Sequence, residues 1–223
     1  MATTLKSSRG LTVATLDRMQ GPTLSFWQQR FEAGNVPWDR GQSSPQLGAW
    51  LAAGVLRPGH SVIVPGCGSG YEVAALAAAG CKVTALDYAP AAVQLTRQRL
   101  CETGQQAEIH CADVLQWSPD AACDAVYEQT CLCALHPDQW THYAAQLRAW
   151  VRPGGVLCGL FMQVRRDSAG QGMIEGPPYH CDINAMRSLF RSSHWEWPKP
   201  PYAAVAHPRG WAELAVVLTR AVD

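Results

Sequence analysis

Residues 61–70, Ser-Val-Ile-Val-Pro-Gly-Cys-Gly-Ser-Gly, constrain the fold more than any other part of the chain. A short apolar run typical of a β-strand leads directly into three alternating glycines, and a helical pattern begins at Tyr71. Glycine has no Cβ, so it allows both a tight turn and a close approach of the backbone to a ligand. The next apolar run ends at Asp87, and an acid about 20 residues after the first glycine is the ribose-binding position of a nucleotide-binding βαβ unit. This spacing predicts a nucleoside-bearing cofactor at the mouth of a parallel sheet.

Strand and helix patterns alternate along the chain after residue 61. The further predicted strands are 82–87, 107–111, 123–128 and 156–164, and the predicted helices between the strands are 71–79, 89–102 and 137–151. Such alternation is typical of a parallel, doubly wound sheet. The stretch 211–220 predicts a late strand, and two late strands after the fifth suggest an antiparallel hairpin at one edge of that sheet. We therefore expect an α/β, Rossmann-like fold with a seven-stranded, mostly parallel sheet, an antiparallel edge hairpin and helices on both faces.

The length of the chain favours a single domain. Its 223 residues suit one domain, and a hydrophobic share of 48% supplies enough material for a core. The sequence contains no internal repeat and no low-complexity linker. We expect one domain over residues 23–223 and a flexible tail over residues 1–22, whose Ser- and Thr-rich composition also faintly resembles a transit peptide.

Composition argues against several classes of partner. The 18 basic and 18 acidic residues give a formal net charge of zero, so there is no electrostatic case for binding nucleic acid or an anionic membrane. No apolar run reaches the roughly 18 residues that a membrane span needs. We expect a small-molecule substrate and a monomer or small homo-oligomer.

Cysteine usage indicates a reducing, cytoplasmic environment. The nine cysteines are an odd number and include no Cys-x-x-Cys pair, so neither a disulfide framework nor a zinc ribbon fits. Most lie in apolar runs, where a free thiol behaves as a small buried hydrophobe. Cys131 and Cys133 are close enough to be metal ligands, but a buried pair is the favoured interpretation, and no metal site is predicted.

The spacing of the glycines discriminates between cofactors. Gly66, Gly68 and Gly70 form Gly-x-Gly-x-Gly, whereas a dinucleotide site places its third glycine one residue later. Glu72 falls in the first helical turn, where a negative charge disfavours a pyrophosphate. S-adenosylmethionine carries no phosphate and meets neither objection. It is the favoured cofactor, with a nucleotide-dependent oxidoreductase and a plain structural turn as alternatives.

Acids at the ends of two strands extend the predicted cofactor site. Asp87 is placed to accept from both ribose hydroxyls, while Asp113 follows the third strand and lies near the adenine, with the amide of Val114 beside it. The predicted cofactor-binding residues of this edge are Gly66, Cys67, Gly68, Asp87, Tyr88, Asp113 and Val114.

Five segments together resemble the thiopurine and thiol (halide) methyltransferase family of class I methyltransferases. In chain order they are Phe26-Trp27 to Phe31, Val36-Pro37-Trp38-Asp39-Arg40-Gly41, the glycine loop from Val64 to Gly70, Tyr127 to Pro137, and Gly176-Pro177-Pro178-Tyr179. The glycine loop is common to class I methyltransferases. The Pro-Trp-Asp element and the Gly-Pro-Pro-Tyr loop are more specific to this family.

The resemblance implies methyl transfer from S-adenosylmethionine to a small soft nucleophile (a thiol, thiopurine, thiocyanate or halide) by in-line displacement. It also implies that residues 23–57 form a helical lid in which Trp27, Phe31 and Trp38 close over the cofactor. Phe31 departs from the tryptophan that is usual at its position. Gln129, also implied at the cofactor, stands where thiopurine enzymes carry arginine and thiol enzymes carry tyrosine, so the acceptor stays open.

The acceptor side is less sharply defined. The resemblance places Met162 where plant thiol enzymes carry a tyrosine, and we predict a substrate pocket of Met162, Tyr179 and Arg165. A thiolate or halide needs no base, whereas an oxygen or nitrogen acceptor does, and Tyr179, Glu128 and His180 are the candidate catalytic groups. A methyltransferase for oxygen or nitrogen and a catalytically silent S-adenosylmethionine-binding module are the alternative functions.

Overall fold

The computed structural model of the chain describes residues 21–167 and 174–222. Its strands are β1 Ser61–Pro65, β2 Lys82–Asp87, β3 Glu108–Cys111, β4 Cys123–Gln129, β5 Val151–Gln163, β6 Trp195–Glu196, β7 Ala203–Ala206 and β8 Ala212–Arg220. All eight join one sheet in the order β3-β2-β1-β4-β5-β8-β6, and β7 also pairs with β8. Strands β1 to β5 are parallel to one another, whereas β8 is antiparallel to β5, β6 and β7.

Helices precede and connect these strands. Within the described residues they are α1 Leu24–Glu32, α2 Pro45–Ala52, α3 Tyr71–Ala78, α4 Pro90–Thr103, α5 Cys131–Ala134, α6 Trp140–Trp150 and α7 Ile183–Leu189. Side-chain caps begin the first two: Thr23 accepts from the amide of Phe26 at 3.4 Å, and Ser44 accepts from the amide of Gln46 at 3.3 Å. None of the described helices is long and apolar enough to cross a membrane.

The alternating residues of β1 divide the interior into two cores, one on each face of the sheet. Val62 and Val64 pack in the core beneath α2, α3 and α4, whereas Ile63 packs in the core beneath α6 and α7. Because helices cover both faces, β1 is apolar at every central position, as is usual for a strand inside a parallel sheet. The predicted α/β, doubly wound fold is thus confirmed.

Some element boundaries differ from the sequence predictions. The sheet has eight strands rather than seven, because β6 and the Ala-rich β7 both pair along β8. Strand β5 begins at Val151, not at residue 156, because Val151 already pairs with Cys123 and residues 152–155 form an irregularity before Val156 pairs with Ala125. The helix predicted over 137–151 opens with a 3₁₀ turn, Pro137–Gln139, before α6. Most of the predicted tail, residues 1–20, lies outside the described residues.

Candidate active site

The carboxyl ends of the parallel strands meet at one edge of the sheet, and a cavity of about 510 Å3 opens there. This volume falls in the range of roughly 300–1,000 Å3 that is typical of small-molecule sites, and the position is where doubly wound sheets bind ligands. The cavity is lined by these predicted site residues: Trp27, Phe31, Trp38, Gly66, Gly68, Asp87, Tyr88, Asp113, Val114 and Met162.

The loop after β1 depends on glycine at two points of close approach. Gly66 has φ +61°, and a Cβ there would lie 3.0 Å from the Cβ of Cys131. Gly70 has φ +75°, and its Cβ would lie 2.8 Å from the Cα of Thr96 on α4. The hydroxyl of Thr96 also donates to the carbonyl of Gly68 at 3.0 Å. Helix α4 therefore holds the loop close to the cavity with its backbone exposed to a ligand.

Asp87, the last residue of β2, is a buried carboxylate that faces this loop. Its two oxygens accept from the amides of Gly68, at 3.1 Å, and of Ala89, at 3.0 Å. Burial raises the pKa of Asp87 to about 6, against the lowering effect of these amides. At neutral pH the group is therefore ionised, and its oxygens have further acceptor capacity for a diol in the cavity.

Asp113 follows β3 and turns the chain along the cavity wall. Its carboxylate accepts from the amide of Leu115 at 2.9 Å and from the side chain of Gln116 at 3.0 Å. Val114 and Leu115 both line the cavity beside it. Tyr88, immediately after Asp87, adds an aromatic face to the same wall. Together these groups form a mostly apolar recess next to a buried carboxylate.

The N-terminal segment contributes an aromatic wall. Its rings pack edge to face: Trp27 against Trp38 with centroids 5.2 Å apart, and Phe31 against Trp38 at 5.8 Å. Trp27 also meets Phe26 at 5.0 Å. The wall rests on the sheet side through Phe31, which packs with Ala89 and Ala92 at the start of α4. Three residues of the predicted lid, Trp27, Phe31 and Trp38, thus line the same cavity as Asp87.

The opposite part of the cavity has a different chemical character. Met162 lies near the end of β5, and β1 and β4 separate β5 from β2, so Met162 and Asp87 are about 14 Å apart at the usual strand spacing. Cys133 lines the cavity with Met162, whereas Cys131 lies at the glycine loop, beside Gly66. Arg166 and Arg209 line the cavity as well, so this part combines sulfur atoms with positive charge.

Four of the predicted acceptor-side and catalytic residues do not line the cavity. Glu128 is buried behind the wall, where it accepts from the amide of Leu132 at 2.6 Å, and burial raises its pKa to about 7. Nδ1 of His180 accepts from the amide of Val164 at 3.1 Å. Tyr179 is buried and packs edge to face on His136, with centroids 5.4 Å apart.

The fourth of these residues, Arg165, is exposed. Its neighbour Arg166 takes the place at the cavity that was predicted for Arg165. The Gly-Pro-Pro-Tyr loop does reach the cavity, but through Pro177 and Pro178 rather than through Tyr179. The structure therefore brings the predicted loop to the site while turning its tyrosine into the protein.

Gln129 and Cys67 line a second, smaller cavity of about 60 Å3 on the other side of the glycine loop. Gln129 accepts from the hydroxyl of Tyr127 at 2.8 Å and donates to Glu213 at 3.1 Å. The thiol of Cys67 lies 3.4 Å from the hydroxyl of Thr96, and burial raises its pKa. Neither side chain reaches the larger cavity.

Several lining residues carry no sequence signal for a site. Arg209 and Trp211 come from the turn between β7 and β8, a hairpin whose first strand was not located in the sequence. Thr130 lines both cavities with φ +64°, a conformation that is uncommon outside glycine. For the turn that carries Arg209 and Trp211, the Trp-rich character of the C-terminal segment is the only indication in the sequence.

The residues that line the larger cavity fit S-adenosylmethionine. An ionised buried carboxylate suits a ribose diol, the recess beside Val114 suits a flat purine, and the glycine loop presents backbone where a Cβ would intrude. Within the described residues no group of three or more His, Cys, Asp and Glu side chains is arranged to hold a metal ion.

Comparison with known proteins agrees with this geometry. The family model described as thiopurine S-methyltransferase matches residues 23–211. The chain belongs to the thiopurine S-methyltransferase family. The chain is 30% identical over 186 residues to the probable thiol methyltransferase 2 of Arabidopsis thaliana, covering 82% of this chain and 77% of that protein. It is 31% identical over 187 residues to the thiopurine S-methyltransferase of Azotobacter vinelandii, covering 77% and 83%.

A solved structure shares the fold of this family member. The 1,6-didemethyltoxoflavin-N1-methyltransferase of Burkholderia thailandensis, solved with S-adenosylhomocysteine, matches with a TM-score of 0.69 at 21% identity, over 90% of this chain and 87% of that one. At this identity the likeness concerns the fold alone. Family membership confirms the prediction of an S-adenosylmethionine-dependent S-methyltransferase.

Proposed function

We propose that this enzyme transfers the methyl group of S-adenosylmethionine to a small, soft, anionic nucleophile such as a thiolate, thiocyanate or halide, with a thiopurine as the larger candidate. One observation carries this proposal: a single cavity has a buried carboxylate at β2 and, about 14 Å away, a wall of sulfur and arginine side chains at β5. The first part suits the donor, and the second suits a polarisable anion.

The donor is held by the end that contains Asp87. Asp87 would hold the ribose hydroxyls, the glycine loop would hold the amino-acid part, and Val114 would hold the adenine. Bound S-adenosylmethionine supplies an electrophilic methyl group on a sulfonium sulfur. Trp38 lines the same cavity, and its indole would stabilise the positive charge of the sulfonium.

The acceptor is held by Met162 and Cys133 together with Arg166 and Arg209. Sulfur atoms give a polarisable, weakly hydrated surface, and the guanidinium groups raise the local concentration of an anion. Arg166 is itself oriented by Glu175, whose carbonyl accepts from Nη1 of Arg166. This wall favours soft anions over neutral alcohols and amines.

The reaction needs little proton transfer from the protein. Among the described residues that line the cavity, Asp87 and Asp113 are the only acids and there is no histidine. We propose that Glu128 and His180 are structural rather than catalytic, since a backbone amide already donates to each. The residues of the cavity then act by aligning nucleophile and methyl carbon and by excluding water.

The wider organisation follows from the same observations. We propose that residues 23–223 form one domain, since all eight strands join one sheet, with residues 23–57 as its lid. All nine cysteines are free, which supports a reducing, cytoplasmic location. A monomer or small homo-oligomer stays a prediction.

Mass spectrometry of the purified protein tests the proposed function. The protein is incubated with S-adenosylmethionine and, separately, iodide, thiocyanate, hydrosulfide, small thiols and a thiopurine. Volatile products are read from the headspace and the thiopurine product from solution. Methylated product from at least one of these acceptors is expected. Absence of any product while the donor still binds would contradict the proposal and favour an oxygen or nitrogen acceptor or a silent binding module.

A further inference from the structure

The loop that carries Trp38 is joined to the C-terminal hairpin at two places. We name residues 36–41 the lid loop and residues 207–211 the hairpin turn. Nε2 of His207 lies 3.2 Å from the carbonyl of Trp38. The guanidinium of Arg40 donates to the carbonyl of Ala206 at 2.8 Å. The wall that contains Trp38 and the wall that contains Arg209 and Trp211 are therefore in contact outside the cavity.

A buried ion pair strengthens this junction. Nη2 of Arg40 lies 2.6 Å from Oε2 of Glu213, the second residue of β8, and their side chains are 9% and 0% exposed. Gln129 on β4 donates to both oxygens of Glu213, at 3.1 and 3.2 Å. A buried pair of this kind is held firmly in place because removal of either partner leaves a buried charge uncompensated. The lid loop is thus fixed to β8 and, through Gln129, to β4.

His207 adds direction to the contact. Its Nδ1 accepts from the amide of Arg209 at 3.2 Å, so Nε2 carries the proton and donates to Trp38. The imidazole also stacks on Trp211, with centroids 5.3 Å apart and planes at 23°. Arg209 and Trp211 both line the cavity. A single ring thus connects the backbone that positions Trp38 to the turn that carries two acceptor-side residues.

We propose that Arg40 and Glu213 are positioning residues, which hold the lid loop and the hairpin turn together so that Trp38 and Trp211 form one rigid wall over the reacting groups. The proposal rests on the proposed function, because it assigns the donor to one part of the cavity and the acceptor to the other. Neither residue lines the larger cavity, so each acts through the residues that do. Rigid placement of both walls is what an in-line displacement requires.

The test compares ligand binding, catalysis and folding in the same variants. Arg40→Gln removes the charge and cannot reach both Glu213 and the carbonyl of Ala206. We expect it to raise the dissociation constant of S-adenosylmethionine, measured by calorimetry without an acceptor, by about tenfold, the scale of a lost contact between an aromatic face and a cationic ligand. The KM for the acceptor should rise at saturating donor. Arg97→Gln, an exposed position on α4 outside the cavity, is the matched control and should change neither value.

Two further variants keep the test decisive. If Arg40→Gln does not fold, the double variant Arg40→Gln with Glu213→Gln leaves no uncompensated buried carboxylate and should still bind the donor weakly. Combining Arg40→Gln with Trp38→Ala should cost little more than either change alone, since both remove the same contact.

The possible outcomes separate this proposal from the one on which it rests. Failure of the unchanged protein to bind S-adenosylmethionine would overturn both. A second outcome concerns only the positioning role. It is overturned if the unchanged protein binds and turns over normally and Arg40→Gln lowers the melting temperature but leaves the dissociation constant and the KM constant. Effects of Arg40→Gln and Trp38→Ala that simply add would also overturn it.

Discussion

The carboxylate of Asp87 and the amide of Gly68 are joined by a hydrogen bond of 3.1 Å, which connects the end of β2 to the loop after β1. The same carboxylate accepts from Ala89 at the start of the next helical segment. One buried acid therefore fixes both the loop and the strand end that border the donor part of the cavity. A ligand that donates to this acid meets a site whose acceptor is already oriented.

Replacement of Asp87 by asparagine is expected to weaken donor binding strongly. Hydrogen bonds to a charged group contribute about 1.5–3 kcal/mol, so the loss corresponds to a roughly 10- to 100-fold larger dissociation constant for S-adenosylmethionine. Calorimetry measures this value directly. Asp120→Asn changes an exposed acid in the same way and should leave it unchanged. Equal affinity in both variants would exclude Asp87 as the ribose acceptor.

Donor affinity should depend on pH through Asp87. Burial raises the pKa of this group in the free protein to about 6 from an ordinary value of 3.8. Only the ionised form accepts two ribose hydroxyls, so affinity should be constant above neutral pH and fall by about tenfold per pH unit below 6. Titrations of S-adenosylhomocysteine from pH 5 to pH 8 test this, and Asp87→Asn should show no such decline.

The raised pKa of Asp87 also affects the stability of the free protein, and this effect changes with pH in the opposite direction to donor affinity. Because the folded pKa of Asp87 lies above its ordinary value, folding favours the protonated form. The contribution of this group to stability is therefore complete below pH 3.8 and is lost as the pH rises through about 6. The increase in melting temperature caused by the donor should grow over the same interval.

Gly70→Ala should destabilise the protein more than Gly104→Ala. Both glycines have a positive φ, of +75° and +66°, so both changes force alanine into the left-handed region. A Cβ at Gly104 would meet open space, whereas one at Gly70 would lie 2.8 Å from the backbone of Thr96. We expect a loss of about 1 kcal/mol for Gly104→Ala and more than about 2 kcal/mol for Gly70→Ala in urea unfolding. Equal losses would mean that α4 does not constrain the loop.

Arg209→Gln should weaken an anionic acceptor while sparing the donor. Arg209 is exposed at the cavity, so the KM for iodide or thiocyanate is expected to rise by roughly two- to fivefold at low salt, and the difference should shrink at high salt. Arg191→Gln is the matched control, because Arg191 is exposed and does not line the cavity. A KM that is independent of both changes would remove Arg209 from the acceptor site.

The donor part of the cavity was predictable because strand ends can be recognised in sequence. Asp87 and Asp113 each follow an apolar run, and parallel strands bring such positions to one edge. Side-chain direction was harder to predict. Glu128 and Gln129 are adjacent on β4 and were both expected at the site, yet alternation turns them to opposite faces of the sheet. Only contacts with α5 and β8 decide where each side chain ends.

The acceptor part was less predictable because it is built from distant, irregular segments. Arg209 and Trp211 reach the cavity only because β7 pairs with β8. The strand β7 is Ala-rich and follows a proline-rich stretch, so local propensity does not favour it. The order of Arg165 and Arg166 along the cavity depends on the turn after β5, for which the sequence carries no periodic signal.

The position of β8 has a consequence for folding during synthesis. This strand is made after every other strand of the sheet, yet it lies inside the sheet, between β5 on one side and β6 and β7 on the other. Until β8 emerges from the ribosome, the long apolar edge of β5 has no partner, and such edges pair readily with other chains. The nascent protein therefore depends on its last strand both to protect this edge and to deliver Glu213 to Arg40.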